Sequence, residues 1–326
     1  MRNMKKTRVA VIGASGIGQH HARWYHLSGA EVVAFVGTSE ASCAKTADAL
    51  RNSFGFAGRG YWDLDEMLKR EHPEVVAVCS PTHLHREHAV AALEAGAHVL
   101  CEKPLVWDPA KDPQAWLVDG RAMVERASTL RRVFGMTPQV AAVAPFYWQL
   151  YEKVRGRRAP VRAFHGEFRN KSRKGRKRYE ELWCDVSPHL LALLMELAPG
   201  GEMDTGTFKG RLSEYENLAE FDWVSPAGRC AARIHLVDLE EGAPVRCFGV
   251  NGFVAGWDGY RDEGGIFRSV LKYGDAEVRS DDFLHIVIAD FLSCVRGEGG
   301  RVWVDGPTSL RNLETQVQVL EKAERA

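Results

Sequence analysis

Residues 9–20, VAVIGASGIGQH, constrain this chain more than any other stretch. A short apolar run ends in a glycine-rich turn, and helix-compatible sequence follows. Such a turn points backbone N–H groups and a helix N-terminus at one place, where a pyrophosphate can sit. Against the pattern G-x-G-x-x-G, Gly13 and Gly18 take the first and third glycine places. Ser15 takes the middle one, and Gly16 is an extra small residue. Ordinary strand-to-helix turns use glycine too, so the motif gains weight only from its context. Gly13, Ser15, Gly16, Ile17 and Gly18 are the expected phosphate-binding set.

That context is a regular alternation. Residues 7–12 read as a strand covered on both faces, because they are branched and lack a period of two. A helix over 19–27 follows, closed by Ser28 and Gly29. Strands are expected at 31–36, 75–79, 98–101 and 131–136, with a short or irregular one within 55–61. Helices are expected at 40–51, 63–70, 85–95 and 114–130. This order predicts a Rossmann-type, doubly wound parallel sheet. Ligands of such sheets bind outside the carboxyl ends of the strands. The glycine turn, residues 37–39, residues 80–85 and Glu102-Lys103-Pro104 all fall at that edge.

A site that prefers NAD carries Asp or Glu just past the second strand, where it binds the ribose hydroxyls. Here that place reads Gly37-Thr38-Ser39. No acid repels a 2′-phosphate there, and two hydroxyls can donate to it. NADP is therefore the expected cofactor, with NAD the alternative. Lys45 is the nearest cation, Glu40 stands close by, and plain helix capping is the other use of Thr38 and Ser39.

A chain of 326 residues is too long for one ordinary core, which predicts two domains, 1–138 and 139–326. Lys and Arg total 43, as do Asp and Glu, so no global field draws in nucleic acid or an anionic membrane. No window reaches the roughly 18 unbroken apolar residues of a membrane span. The start, MRNMKKTRVAVIG, has no secretory apolar region. Seven cysteines without a CxxC pair fit the reduced thiols of a cytoplasmic protein, and no metal site is expected.

The run CSPTHLHREHAVAALEAGAHVLCEKPL, behind the glycine turn, resembles the Gfo/Idh/MocA oxidoreductase family. The resemblance implies an N-terminal Rossmann domain and a C-terminal α/β domain with an open, mostly antiparallel sheet. It implies hydride transfer between a nicotinamide and a small alcohol or carbonyl substrate, and a homodimer or tetramer. Ser80, Pro81, Thr82 and His85 would line the nicotinamide, and Glu102 would support Lys103, itself counted with the cofactor site. Lys103, Asp185 and His189 resemble the family's catalytic set.

Residues of the second half add particulars. Within WCDVSPH, Ser187 and Pro188 suit the start of a helix over 188–197. His189 would then lie in its first turn, in a field that favours neutral imidazole, with Asp185 to orient it. An acid common in the family three residues later is replaced by Ala192. The segment VAAVAPFYWQLY is more apolar than the family's usual helix there, which fits either buried core or an apolar ligand. Either an imine reductase or a non-catalytic dinucleotide sensor is an alternative activity, as is redox-neutral chemistry with retained cofactor. The basic run 169–178 reads as a solvated loop or as a lid over an anionic substrate. Strands are expected at 206–215, 217–224, 229–237 and 245–249, with closing helices at 281–296 and 306–322.

Overall fold

A computed structural model describes residues 6–171 and 178–325. The chain forms two compact units, Met1–Thr137 with Leu284–Leu310, and Pro138–Phe283 with Arg311–Ala326.

In the first unit the elements run β1 (Arg8–Ile12), α1 (Ile17–Leu27), β2 (Glu31–Val36), α2 (Glu40–Phe54), β3 (Arg59–Tyr61) and α3 (Leu64–Glu71). There follow β4 (Val75–Val78), a 3-10 turn (Thr82–Leu84), α4 (His85–Glu94), β5 (His98–Cys101), α5 (Pro113–Thr129) and β6 (Phe134–Met136). The strands order β3-β2-β1-β4-β5-β6, all parallel. This is the doubly wound arrangement expected from the alternation. Val9, Ala10 and Val11 are wholly buried at its centre, which explains the unbroken apolar run of β1.

The segment Leu284–Leu310 belongs to this unit, although the sequence division at 138/139 assigned it to the other. The reason is an open edge. β6 is a terminal strand, and Asp305 bridges antiparallel to Gly135 while Met136 N donates to Val304 O at 2.9 Å. That pairing covers β6, whose free N–H and C=O groups would otherwise be exposed. Arg296 fastens the segment again, donating from Nε to Thr7 Oγ1 at 2.9 Å. The His285 ring stacks on Trp24 at 4.5 Å.

In the second unit a 3-10 turn (Gln139–Val143) leads into α6 (Ala144–Arg155), β7 (Ala163–Lys171) and α7 (Tyr179–Leu197). Strands β8 (Glu202–Leu212), β9 (Glu216–Ser225), β10 (Gly228–Leu239), β11 (Val245–Val250), β12 (Phe253–Arg261), β13 (Phe267–Tyr273) and β14 (Ala276–Asp281) follow. Helix α8 (Phe283–Val295) falls, after its first residue, in the segment of the first unit, and helix α9 (Gly306–Lys322) and strand β15 (Glu324–Arg325) close the chain. The sheet order is β14-β13-β12-β11-β7-β10-β9-β8-β15. Only the β7–β10 and β8–β15 pairs of that order are parallel, so the sheet is mostly antiparallel. Strand alternation gives it one covered face: Phe164, Phe168, Ala232, Ile234, Leu236 and Phe248 are buried. Gly166 leaves room there for Leu190 of α7, whose Cδ2 would lie 2.8 Å from an added Cβ.

Of three expectations for this half, one of two open readings is met and two are corrected. The segment VAAVAPFYWQLY is core: residues 140–144, Tyr147, Leu150 and Tyr151 are buried. Tyr147 is also tied by its hydroxyl, which donates to Phe253 O and accepts from Val250 N, both at 2.8 Å. An apolar ligand therefore has no claim on it. The basic run starts inside β7, because Arg169, Asn170 and Lys171 continue the β10 pairing; its residues 172–177 lie outside the described residues. Helix α7 begins at Tyr179, not Pro188, so Ser187 caps nothing and Pro188 is interior. Pro188 has no N–H for the Cys184 carbonyl four residues back, a loss tolerated where packing holds the helix. Here the packing is extensive, and Asn312 Nδ2 donates to Pro188 O at 3.0 Å.

Candidate active site

The site in the first unit is built where the strand order reverses, between β1 and β4. Gly13 sits in the left-handed region at φ 82°, and a Cβ there would meet Cys79 O at 2.6 Å. The turn thus lies directly against the end of β4, which only glycine permits. A Cβ on Gly18 would fall 2.1 Å from Gly13 O, so α1 starts hard upon the turn. Ser15, Gly16 and Ile17 are exposed, and no side chain caps the first N–H groups of α1. An exposed, close-packed glycine turn at a helix start that no side chain caps fits the pyrophosphate of a dinucleotide.

At the end of β2, Gly37 N donates to Tyr61 O at 2.8 Å. A Cβ on Gly37 would meet Cys43 Sγ at 2.8 Å. Ser39 is the N-cap of α2 in a reciprocal capping box with Ser42: Ser39 Oγ accepts from Ser42 N at 3.2 Å, and Ser42 Oγ accepts from Ser39 N at 3.0 Å. Thr38 N also donates to Ser42 Oγ, at 3.2 Å. Capping is thus an observed task of this loop. It uses the acceptor side of the Ser39 hydroxyl and leaves its proton to donate. Lys45 and Glu40 are both exposed.

The loops after β4 and β5 are tied to each other. Thr82 Oγ1 donates to Trp107 O at 2.6 Å. His88 Nδ1 and Ser80 Oγ lie 2.8 Å apart, and Pro81 is exposed. His85 is wholly buried. Its Nε2 faces Ser80 O at 3.0 Å, and its Nδ1 faces Pro104 O and Leu105 O at 3.1 and 3.2 Å. Burial lowers its pKa against the pull of those carbonyls. This ring spans the two loops from beneath, so it positions Ser80 and the Lys103 turn rather than presenting a surface to a ligand.

Lys103 is half-buried, and its N–H donates to Glu102 Oε2 at 3.1 Å. The other oxygen, Oε1, lies 2.7 Å from His21 Nε2 and accepts from Thr137 Oγ1 at 2.7 Å. Burial pushes the Glu102 carboxyl up, but His21, the Lys103 charge and the Thr137 hydroxyl together bring it down to about 2. Glu102 is therefore a fixed anion joining α1, the end of β5 and the end of β6 beneath Lys103. The sequence reading missed His21 and Thr137. A signal was present for His21: it falls on the same face of α1 as Gly18, Ala22 and Tyr25, all buried, and a titratable group there needs a partner. Cys79 and Cys101 stand nearby as inert thiols, pushed well up by burial.

The second unit holds Asp185 and His189. From Leu182 to Met195, α7 is buried at every position except these two. Glu181 precedes them by one turn and is also only partly covered. The spacing 181, 185, 189 is one row along a helix, so Asp185 and His189 are neighbours at i and i+4. A buried helix with one accessible row of ionisable groups is not explained by packing. The expected field of a helix N-terminus on His189 does not apply, because α7 begins ten positions earlier, at Tyr179. Ala192 is wholly buried, so an acid at that place would meet core.

Residues 7–119 match the family described as "Oxidoreductase family, NAD-binding Rossmann fold". D-glucoside 3-dehydrogenase of Escherichia coli (strain K12) is 39% identical over 128 residues, 39% of this chain and 33% of that protein. The chain thus spans about a third of the length of that curated relative. Likeness of fold extends much further. UDP-N-acetylglucosamine 3-dehydrogenase from Acidithiobacillus ferrooxidans superposes with a TM-score of 0.72 at 20% identity, covering 98% of this chain and 99% of that one. Levoglucosan dehydrogenase, solved with NADH and levoglucosan, gives 0.74 at 15% identity, with 98% and 97% covered. The matched residues 7–119 hold the glycine turn and the Glu102-Lys103-Pro104 corner, and over that stretch the chain is similar to the NAD-binding unit of the Gfo/Idh/MocA oxidoreductases.

Proposed function

We propose that this protein is a nicotinamide-dependent dehydrogenase or reductase acting on a sugar-like secondary alcohol or the matching ketone. The observation that carries the proposal is the turn at the β1–β4 switch point, close-packed beneath and open above. A bound nicotinamide dinucleotide supplies the hydride acceptor or donor. The protein's own residues bind, orient and move the proton. Gly13, Ser15, Gly16, Ile17 and Gly18 hold the pyrophosphate. Ser80, Pro81 and Thr82 line the nicotinamide side. Lys103, a compact cation, polarises the reacting oxygen, and Glu102 holds the backbone of that corner in place. His189 takes or gives the hydroxyl proton, and Asp185 stabilises its charged form.

Sugar-like substrates are preferred for two reasons. A relative 39% identical over 128 residues is named for a glucoside, and the apolar segment that argued for a different ligand is core. The same burial, with that of Ala192, leaves neither the segment nor that position to favour an imine over a sugar-like substrate. NADP is the preferred cofactor, because no acid closes β2 and Ser39 keeps a proton to donate. Seven free thiols suit a reducing compartment, so the reading places the reaction in the cytoplasm. Assembly as a dimer or tetramer belongs to the same proposal and is read by sedimentation.

The test is a panel of pyranosides, polyols and keto-sugars assayed with NADP and NAD in both directions. Turnover of at least one sugar-like substrate is expected. Lys103→Met and His189→Ala are each expected to lower kcat by about 100-fold or more while dinucleotide binding persists. Wild-type turnover by both variants would overturn the assigned roles.

A further inference from the structure

The outer face of the nine-stranded sheet carries a cluster that the proposed reaction does not use. His165, Glu167 and Cys247 each offer one donor atom, and these three atoms lie within 4.8 Å of one another. Their meeting follows from register. His165 and Glu167 are two apart on β7, so both point away from the face that buries Phe164, Gly166 and Phe168. Cys247 of β11 is paired directly opposite Glu167. On the other side of β7, His235 of β10 is also paired with Glu167. All four residues are partly accessible.

We propose that His165, Glu167 and Cys247 form a binding site for a divalent transition metal of the zinc type. The donor set is the argument. One imidazole, one carboxylate and one thiol are the ligands that zinc takes, at about 2.0–2.3 Å. Tetrahedral ligands at those lengths stand about 3.4 Å apart. His165 Nε2 and Glu167 Oε2 are already 3.5 Å apart. The thiol, no further than 4.8 Å from either donor, has to close by at most roughly 1.3 Å, within reach of a side-chain rotation. Arg169 Nε binds the other Glu167 oxygen, Oε1, which orients the carboxylate and leaves Oε2 for the metal. His235 stands beside the cluster, held by Glu216 Oε1 at 2.7 Å. There is also room: Cys247 is paired on its far side with Gly256, where an added Cβ would meet nothing within 4 Å. The fourth position is thus open to water or to an outside donor. Binding converts the Cys247 thiol to a metal-bound thiolate and releases its proton to solvent.

The experiment is a titration of chelator-treated full-length protein with Co2+, followed by absorption. One equivalent per chain should produce a thiolate-to-cobalt charge-transfer band and tetrahedral ligand-field bands, and Zn2+ should displace both. Cys247→Ser should abolish the charge-transfer band. His165→Ala and Glu167→Gln should each weaken Co2+ at least tenfold, while Cys294→Ser, at another partly covered thiol, should change nothing. Melting of each metal-free variant checks that it folds. A second readout needs no variant: Zn2+ should protect Cys247 of the wild-type protein from alkylation, as mapped by mass spectrometry. Absence of the thiolate band in the wild type, its survival in Cys247→Ser, or alkylation of Cys247 indifferent to Zn2+ would each overturn the proposal.

Discussion

Single residues decide the geometry of the glycine turn, and of three nearly identical substitutions there two should be more damaging than the third. Gly13→Ala forces a Cβ to 2.6 Å from Cys79 O at a φ of 82°, and should destabilise the fold by roughly 3 kcal/mol or more and abolish dinucleotide binding. Gly18→Ala meets Gly13 O at 2.1 Å and should behave the same way. Gly16→Ala enters open space, but at φ 57° and ψ −120°, a region L-residues scarcely adopt, so it should cost backbone strain alone, about 1–3 kcal/mol. Thermal melts of the three variants check the order. Glu102 has its own signature in acid. Its folded pKa is depressed from 4.5 to about 2, so its stabilisation is complete above the unfolded value and is lost as pH falls from 4.5 towards 2. The amount is a few kcal/mol. Burial also lowers His85, His88 and His98, which therefore take up protons more readily when unfolded. Stability should begin to fall as pH drops through 6.5, and Glu102→Gln should remove the steeper loss below 4.5 without touching the earlier one. Urea midpoints between pH 7.5 and 3 read both. At this scale the glycines were legible because backbone conformation restricts residue type so strongly. His21 and Thr137 were not, because they reach Glu102 from 81 and 35 positions away.

Elements were legible in proportion to their local signals. Helix α9 was expected at 306–322 and is found there, and β2 and β5 were likewise placed to the residue, since each is bounded by a glycine, a cap or a charge. Helix α7 was not, and the cause is Pro188. Proline after serine is the mark of a helix start, yet here it lies within a helix whose other positions are held by core packing. The consequence for the site is direct: Asp185 and His189 share one row of one rigid helix instead of straddling its beginning. Proline removal separates the structural from the catalytic role. Pro188→Ala restores an N–H to the Cys184 carbonyl and should leave stability unchanged or raised, while His189→Ala should leave stability unchanged and remove turnover. The β2–α2 loop permits a similar separation. Ser39→Asp keeps a good N-cap, so the fold should persist. Its carboxylate should weaken NADPH at least tenfold, about 1.4 kcal/mol, and leave NADH unchanged or tighter. Equal effects on the two cofactors would remove the 2′-phosphate from this loop.

At the scale of the whole molecule, sequence order and unit membership part company. The alternation of strands and helices ends at β6, so a sequence reading closes the first unit near Pro138. The structure returns Leu284–Leu310 to it, because β6 needs an edge partner and Thr7 and Trp24 need Arg296 and His285. No local pattern announces that return, since it depends on a pairing between residues 135 and 305. A fragment ending at Thr137 should therefore aggregate through β6, and the same fragment joined to 284–310 by a flexible linker should stay monomeric and melt cooperatively. Light scattering and calorimetry compare the two. The central claim, that this fold is built around a nicotinamide dinucleotide, is tested most directly by titrating the purified protein with NADPH and with NADH. The signal is energy transfer from tryptophan to the reduced nicotinamide. The account predicts saturable binding of both, tighter for NADPH, and no binding by Gly13→Ala. A folded wild-type protein that binds neither would contradict it.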